Sequence, residues 1–226
     1  MSIIDMDAEV PAGAVVVVID VIRAFTTAAV AFESGAADIA CVSSVDAARE
    51  FRKRHPERLL AGETGGLKPP GFDFGNSPAE MAAARLDGRG LIQATSNGTR
   101  GLVRYPAAAA LLAASAVNAG ATARWIRKHH GEKPYALVCT GRTAEDLVCA
   151  RHLDGLLRGA EPERADLVAG IMAGAAEHAR FGIGKPAHER VDLSEDLRFC
   201  CDVDRVGFAM VGEIRDGCVA LTREPT

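Results

Sequence analysis

Carboxylates follow several apolar runs of this sequence, and basic side chains lie close to them. The first example is VVVVIDVIRAFTT, residues 15–27, in which Asp20 ends an apolar run and Arg23 follows one helical turn later. None of the six histidines lies in or beside these segments. Carboxylates without imidazole or thiolate partners favour a hard cation, so we expect Mg²⁺ as the cofactor. The candidate ligands are Asp20, Glu63, Asp73, Glu145 and Asp146.

Basic side chains and main-chain amides in the same segments offer contacts for an anion. The cations are Arg23, Lys68, Arg100 and Arg142, and a guanidinium group suits bidentate contact with a phosphate, sulfonate or carboxylate. Backbone N–H groups in SNGTRG and CTGRTAED predict a further anion cradle at helix starts. A magnesium ion together with several cations indicates a small polyanionic phosphorylated substrate. Phosphoryl transfer suits such a site, because it depends on positioning and charge neutralisation.

The elements that must position these residues alternate along the chain. Apolar runs rich in β-branched residues predict strands at 15–19, 38–42, 59–61, 91–95, 108–113 and 136–139. Alanine-rich amphipathic segments between them predict helices at 24–33, 45–54, 119–130 and 144–157. This alternation predicts an α/β fold, with a largely parallel sheet flanked by helices. Ligands of such sheets bind at the carboxyl ends of the strands, where we therefore expect the active site.

Polar clusters follow five of the predicted strands, and together they predict one shared site. They are Asp20, Gly62 with Glu63, and the segments 96–100, 115–118 and 140–142. Each cluster alone also has a purely structural interpretation. Asp20 could cap the following helix, SNGT could be a plain turn, and Glu145 with Asp146 suits the acidic first turn of any helix.

Two further segments carry helix signals. In NSPAEMAAARL, Ser77 is a good N-cap, Pro78 suits the first helical position and Glu80 completes a capping box. Residues 161–182, EPERADLVAGIMAGAAEHARFG, predict one long helix, followed by a polar connection and a short end region. We expect a single domain over residues 1–226, or a division near residue 158 before a more helical part.

Composition excludes several classes of protein. The net charge of −4 and the scattered basic residues give no sign of a nucleic-acid or membrane partner. No apolar run reaches the roughly 18–20 residues that span a bilayer, and the first residues are acidic where a signal peptide would be basic, so we expect a cytoplasmic protein. The cysteines form no paired C-x-x-C pattern, which favours reduced, partly buried thiols over a zinc site. Alanine-rich helices and the long apolar helix would permit a homo-oligomer.

Several motifs occur together in the order typical of one known family. DVIRAFTT, GE at Gly62 and Glu63, GFDFGNSP, TSNGTRGL, SAVNA and CTGRTAEDLVCA resemble the 2-phosphosulfolactate phosphatase, or ComB-like, family over about residues 14–157. The resemblance implies a magnesium-dependent phosphatase that hydrolyses 2-phospho-3-sulfolactate to sulfolactate and inorganic phosphate, a step of coenzyme M synthesis in some organisms. Phe25, Ser96 and Leu147 depart from the residues usual in that family.

The resulting hypothesis gives each candidate residue a role. Mg²⁺ binds to Asp20 and Glu63, with Asp73 or Asp146 completing its shell, and Asp20, Arg23 and Glu63 form the catalytic set. A water attacks phosphorus, or Asp20 does so as a covalent nucleophile. The substrate-binding candidates are Asn76, Ser77, Asn97, Gly98, Thr99, Arg100, Asn118 and Arg142.

Two other classes of function remain as alternatives. One is a catalytically inactive or divergent member that only binds a small anionic phosphorylated metabolite, since binding and turnover share most of these residues. The other is a nucleotide-dependent oxidoreductase, against which stands the absence of a G-x-G-x-x-G or a P-loop from the sequence. Ile22 stands where a haloacid dehalogenase has its second acid, which argues against that family as well.

Overall fold

A computed structural model describes residues 2–131, 133–141, 143–181, 183–184 and 186–226 of the chain. Its strands are β1 (Ser2–Asp5), β2 (Val15–Ile19), β3 (Ile39–Val42), β4 (Leu59–Gly62), β5 (Leu91–Ala94), β6 (Ala110–Ala114), β7 (Tyr135–Cys139), β8 (Phe208–Arg215) and β9 (Cys218–Pro225). Its α-helices are α1 (Ala24–Glu33), α2 (Val45–Arg54), α3 (Pro78–Ala83), α4 (Gly98–Leu102), α5 (Ala119–His130), α6 (Ala144–Leu157), α7 (Arg164–Phe181) and α8 (Ser194–Cys200). The α/β class is confirmed, and the predicted bounds of β2, α1, α2, α5 and α6 agree with the structure.

Strand β2 lies inside one parallel part of the sheet. It pairs with β6 on one side and β7 on the other, and β1 pairs with the outer side of β7, all in parallel. All five residues of β2 are buried, because helices cover both faces of this part of the sheet. A strand that is covered on both faces requires an apolar run without alternation. Asp20 follows this strand directly and therefore lies at the carboxyl edge of the sheet.

The C-terminal residues form a hairpin in the middle of the sheet. Over the described residues the strand order is β1-β7-β2-β6-β8-β9-β3-β5-β4, so β8 and β9 separate two parallel sets of strands. The pairs β6–β8, β8–β9 and β9–β3 are all antiparallel. The prediction of a short end region after a polar connection was therefore wrong. The alternation in FAMVGEIR and CVALTREP is a strand signal, and β1 was missed as well.

The hairpin also changes how the strand ends meet. Three antiparallel steps make β3, β5 and β4 run opposite to β2, β6 and β7 in the hydrogen-bonded ladder. Sheet twist of roughly 20–25° per strand pair turns the strands progressively, by roughly 120–150° over the six steps from β2 to β4. The carboxyl ends of β4 and β5 nevertheless meet that of β2, because a Cβ built on Gly98, just after β5, would stand 2.7 Å from Oδ2 of Asp20. The shared site thus depends on a twisted mixed sheet rather than on one parallel edge.

Helix α3 begins where the sequence predicts. The Ser77 hydroxyl accepts the Glu80 N–H at 3.1 Å, and Pro78 occupies the first turn. The Glu80 side chain does not complete the predicted capping box. Its carboxylate accepts the N–H of Gly75 at 2.7 Å and forms an ion pair with Lys68. Glu80 therefore holds the loop before α3 instead of closing back on Ser77.

Within the described ranges, none of the helices is both long enough and apolar enough to cross a membrane. The six cysteines are all unpaired, and all but the half-buried Cys201 are buried.

The central hairpin gives a prediction about stability. Leu221 of β9 is fully buried and pairs with both Ile39 of β3 and Gly212 of β8. Leu221→Ala is expected to lower the free energy of unfolding by about 2–5 kcal/mol, because it opens a cavity where the two parallel sets join. Urea denaturation measures the change. Ile214→Ala, in the same hairpin but half exposed, is the matched control and is expected to cost less than about 1 kcal/mol. Equal costs for the two variants would contradict the central position of the hairpin.

Candidate active site

A cavity of about 550 Å³ lies at the carboxyl ends of β2, β4 and β5, a size typical of a small-molecule site. Three of its polar residues come from predicted clusters that are far apart in sequence, Asp20, Glu63 and Asn97. The connection between α7 and α8 forms the opposite wall. The described polar side chains that line the cavity are Asp20, Arg23, Glu63, Asn76, Ser96, Asn97, His178, Glu189 and Arg190.

Asp20 is buried at the base of this cavity, where α1 begins. Its Oδ1 accepts the N–H of Ala24, the first residue of α1, at 2.9 Å, as the interpretation of Asp20 as a helix cap predicts. Its Oδ2 accepts the Thr140 hydroxyl at 3.2 Å. Burial, together with the negative charges of Glu63 and Glu145, raises the pKa of Asp20 to about 6. A carboxylate with such a pKa can hold or release a proton near neutral pH.

Asp146 lies beside Asp20 but serves the backbone. Its Oδ1 accepts the Val21 N–H at 2.9 Å, and its Oδ2 accepts the Gly141 N–H at 2.8 Å and the Thr140 N–H at 3.2 Å. The amides of CTGRTAED that were predicted to cradle a bound anion are thus occupied by this internal carboxylate. Burial and the neighbouring Asp20 charge raise the pKa of Asp146 well above its usual value. Through these hydrogen bonds, Asp146 connects the residues that follow β2 with those that follow β7.

Glu63 follows β4 and joins that strand to the end of β5. Its Oε1 accepts the Ser96 N–H at 2.6 Å, and its Oε2 accepts the Gly66 N–H at 2.7 Å and the Ser96 hydroxyl at 3.2 Å. A carboxylate oxygen has two lone-pair directions, so Oε1 keeps acceptor capacity beyond this bond. Ser96, one of the departures from the family pattern, is here a donor that orients Glu63.

Arg23 lines the cavity and is held by a residue that the sequence analysis did not select. Its Nη1 lies 2.7 Å from Oδ2 of Asp196, with both side chains buried, and its Nη2 donates to the Gly66 carbonyl at 3.0 Å. The other oxygen of Asp196 accepts the Ser77 hydroxyl at 2.5 Å. Asp196 therefore fixes the guanidinium group and the start of α3 at once. A guanidinium group has five N–H donors, so its pairing with Asp196 is compatible with a bound anion.

Glu145 and His178 form a pair at the wall of the cavity. The Glu145 Oε1 lies 2.8 Å from Nε2 of His178 and 2.5 Å from the Thr143 hydroxyl. No histidine lies in the polar segments that follow the strands, but α7 packs against α6 and brings His178 into the cavity lining. Glu145 itself does not line the cavity, and its Oε1 is directed at the histidine and the threonine, whereas its buried Oε2 has no hydrogen-bond partner in this structure, so its metal role stays a prediction.

Other predicted residues lie outside the cavity lining. Asp73 accepts the Leu60 N–H at 2.8 Å and pairs with Arg52, which places it beside the start of β4 rather than at its end. The Thr99 hydroxyl bonds to the Thr95 N–H, and the Asn118 carboxamide caps the end of β6 through Ser115 and Ala113. Ser77 binds Asp196, and Arg100 is exposed to solvent. Arg142 lies outside the described residues.

Gly98 contributes through its missing side chain. A Cβ atom built on Gly98 would stand 2.7 Å from Oδ2 of Asp20 and 2.6 Å from Cβ of Ala24. The backbone of α4 can therefore approach the Asp20 carboxylate only at a glycine.

The residues missed by the sequence analysis are His178, Glu189, Arg190 and Asp196. One signal for His178 was present, because Gly170, Gly174 and His178 recur every fourth residue and so share one face of α7. The glycines of that face allow a close helix contact, and the histidine continues it. No comparable pattern marks Asp196, whose partner Arg23 is 173 positions away.

Among the residues that the structure describes, no group of three or more histidine, cysteine, aspartate or glutamate side chains is arranged to hold a metal ion. Magnesium, however, commonly uses one or two carboxylates together with waters and substrate phosphate. The Asn76 carboxamide adds a buried oxygen, Oδ1, that has no hydrogen-bond partner in this structure. Asp20, Glu63 and Asn76 thus offer the hard oxygen donors that such a partly hydrated ion requires.

Comparison with known proteins gives a consistent result. The family model described as 2-phosphosulpholactate phosphatase matches residues 4–215. The chain is 39% identical to a probable 2-phosphosulfolactate phosphatase of Thermus thermophilus over 202 residues, which cover 84% of each chain. It is 31% identical to a protein of the same description from Clostridium perfringens, over 94% of this chain and 90% of that one. A third such protein, from Synechocystis, is 33% identical over 84% of this chain and 85% of its own length.

The raised pKa of Asp20 predicts a pH-dependent stability. The unfolded chain releases this proton near the usual pKa of 3.8, whereas the folded chain holds it to about pH 6, so stability falls as the pH rises through this window. Asp20→Asn removes the penalty and is expected to raise the free energy of unfolding at pH 7.5 by up to about 3 kcal/mol, with little difference at pH 4. Denaturation at both pH values in the presence of a chelator measures this effect. A variant less stable than the wild type at pH 7.5 would contradict it.

The close approach of Gly98 predicts a loss of activity. Gly98→Ala forces its new methyl group against the Asp20 carboxylate and Ala24, and the displacement is expected to lower kcat by about 100-fold or more. Phosphatase assays together with circular dichroism separate this effect from unfolding. Gly207→Ala is the control, because a Cβ there meets no atom within 4 Å and its activity should stay at the wild-type level. A fully active, folded Gly98→Ala enzyme would refute the placement of Asp20 at the reacting centre.

Proposed function

Since the chain belongs to the 2-phosphosulfolactate phosphatase family, and is therefore a phosphoric monoester hydrolase, we propose that it hydrolyses 2-phospho-3-sulfolactate or a related phosphorylated hydroxy acid. The products are the free hydroxy acid and inorganic phosphate. We propose further that the reaction depends on Mg²⁺ and takes place in the cytoplasm, where the unpaired thiols would stay reduced.

One observation carries this proposal. Asp20 and Glu63, from the ends of two different parallel strand sets, line the same cavity as Arg23. Two carboxylates that repel each other are stabilised by a cation, and a fixed guanidinium group attracts an anion. A divalent cation would neutralise the two carboxylates, and the phosphoryl group of the substrate would bind the guanidinium group.

Asp20 and Glu63 would hold the magnesium ion, and the Asn76 Oδ1 would bind it directly or through a water. Each of the two carboxylates keeps acceptor capacity after its protein hydrogen bonds are counted. Bound there, the ion would act as a Lewis acid on the phosphoryl group and would increase the acidity of a bound water.

The cations of the cavity would bind the negative groups of the substrate. Arg23, oriented by Asp196, is the group that we assign to the phosphoryl oxygens, with the Asn97 side chain as a further donor. Arg190, on the wall opposite Asp20, is placed to meet an anionic group at the far end of the substrate. A substrate with a phosphate at one end and a carboxylate or sulfonate at the other suits this distribution.

Asp20 would receive a proton from the attacking water. Burial and the charge of Glu63 raise the pKa of Asp20 to about 6 in the absence of a metal, and a bound Mg²⁺ would lower it, so Asp20 would be ionised and able to accept a proton during the reaction. Attack by Asp20 itself on phosphorus is the competing route. Acid quench during a single turnover separates the two, because only attack by Asp20 forms a phosphoenzyme that can be trapped.

The central experiment is a screen of phosphorylated sulfonates and hydroxy acids, with and without Mg²⁺. We expect release of phosphate from 2-phospho-3-sulfolactate or a close analogue, with loss of activity in EDTA and recovery on addition of Mg²⁺. Asp20→Asn is expected to lower kcat by about 100-fold or more while the fold is retained. Binding of the phosphorylated compounds without any turnover would contradict the proposal and would favour a protein that only binds them. Full activity in EDTA would contradict the magnesium requirement alone.

A further inference from the structure

A histidine belongs to the wall of the cavity, although none is found in the polar clusters that build its base. His178 lies on α7, and about a third of its side chain is exposed. Its Nε2 lies 2.8 Å from Oε1 of Glu145 and 3.2 Å from the Thr143 hydroxyl. Both partners belong to the start of α6, so the imidazole is oriented by a different helix from its own.

The contact between α6 and α7 is built to bring this histidine close. A Cβ on Gly174 would stand 2.0 Å from Oε2 of Glu145, and one on Gly170 would stand 2.5 Å from the side chain of Val148. Both glycines therefore allow the helices to approach to a distance that any side chain would prevent. His178, one turn after Gly174, then reaches the Glu145 carboxylate.

The charge on Glu145 determines the direction of the hydrogen bond. Burial acts to raise the pKa of this carboxyl, but the bonds from His178 and Thr143 outweigh burial and hold the pKa below its usual value. Glu145 is therefore ionised and can only accept, which means that Nε2 of His178 donates. A carboxylate that holds one ring nitrogen of a histidine fixes the orientation of the ring.

We propose that His178 is the general acid of the reaction, which protonates the leaving oxygen of the substrate, and that Glu145 and Thr143 position its ring. This inference rests on the proposed phosphatase reaction at the same cavity. It assigns a second proton-transfer group to a reaction that requires two. Asp20 is assigned to the attacking water, and the arginines of the cavity cannot supply a proton because they stay protonated at all relevant pH values.

During hydrolysis, one bond to phosphorus forms, another breaks, and protons move at both ends of the reaction. The oxygen of water forms a bond to phosphorus, and the bond between phosphorus and the substrate oxygen breaks. The electron pair of the broken bond stays on the substrate oxygen, which takes a proton from the His178 ring and leaves as the alcohol. One proton of the water remains on the phosphate. The other passes to Asp20 and then, through solvent, restores the proton on His178.

A general acid matters in proportion to the basicity of the leaving oxygen. The alkoxide of a hydroxy acid is a strong base and needs a proton as it leaves, whereas the 4-nitrophenolate ion departs without one. Phosphate monoesters with leaving groups between these extremes therefore measure the contribution of the acid directly. A group with only a structural role would affect all of these esters to the same degree.

The test uses His178→Gln, which keeps an amide donor near the position of Nε2 but cannot transfer a proton. For alkyl phosphates, kcat is expected to fall by about 100- to 10,000-fold, whereas 4-nitrophenyl phosphate should lose no more than a few-fold. The same variant is also expected to show a steeper dependence of kcat on leaving-group acidity than the wild type. Added imidazole should restore part of the activity of His178→Ala. Glu145→Gln should give a smaller loss with the same preference for activated esters.

His188→Gln is the matched control, because it makes the same change at a histidine of the connection that follows α7, whose side chain is 80% exposed. Equal losses on alkyl and aryl esters, or no loss on either together with no rescue by imidazole, would overturn the role of His178. Where the wild type does not accept aryl esters, rescue by imidazole decides alone. Absence of any wild-type phosphatase activity would instead overturn the proposed function, so the two failures are distinguishable.

Discussion

The burial of Asp20 among other carboxylates is the constraint on which the rest of the site depends. Asp20 stands at the end of a fully buried strand, and Glu63, Glu145 and Asp146 contribute negative charge around it. Such an arrangement opposes folding at neutral pH, and it persists because backbone amides, hydroxyl groups and one histidine bind these carboxylates individually. The repulsion that remains after these bonds is what makes the cavity receptive to a cation.

Each carboxylate has a different task because each has different neighbours. Asp146 is saturated by main-chain N–H groups and serves as an internal substitute for a bound anion. Glu145 is directed at His178, and Asp196 is directed at Arg23. Of these carboxylates at the strand ends and helix starts, Asp20 and Glu63 line the cavity, whereas Glu145, Asp146 and Asp196 do not. Residue type alone does not separate these roles, since all of them are acids near the end of a strand or the start of a helix.

The mixed sheet explains how a site with this composition forms from segments far apart in sequence. The hairpin of β8 and β9 separates the two parallel sets and reverses one of them in the ladder. Residues at the ends of β4 and β5 nevertheless lie beside Asp20 at the same cavity. Helix α7 and residues of the connection to α8, which come before the hairpin in the chain, close the other wall and supply His178, while α8 supplies Asp196 as the partner of Arg23.

The sequence by itself determined the local structure and the chemistry of the cavity base. Period and composition predicted β2 and four helices with their bounds, and the polar clusters identified Asp20, Glu63 and Asn97, because these signals arise from residues adjacent in the chain. Tertiary structure decided the position of the C-terminal hairpin, the assignment of Asp146 to the backbone and the entry of His178 into the cavity. Those features come from contacts across 33 to 173 positions of sequence, such as Glu145 with His178 and Arg23 with Asp196. Helix packing and sheet twist create these contacts, and no local pattern specifies which distant partner a buried charge will meet.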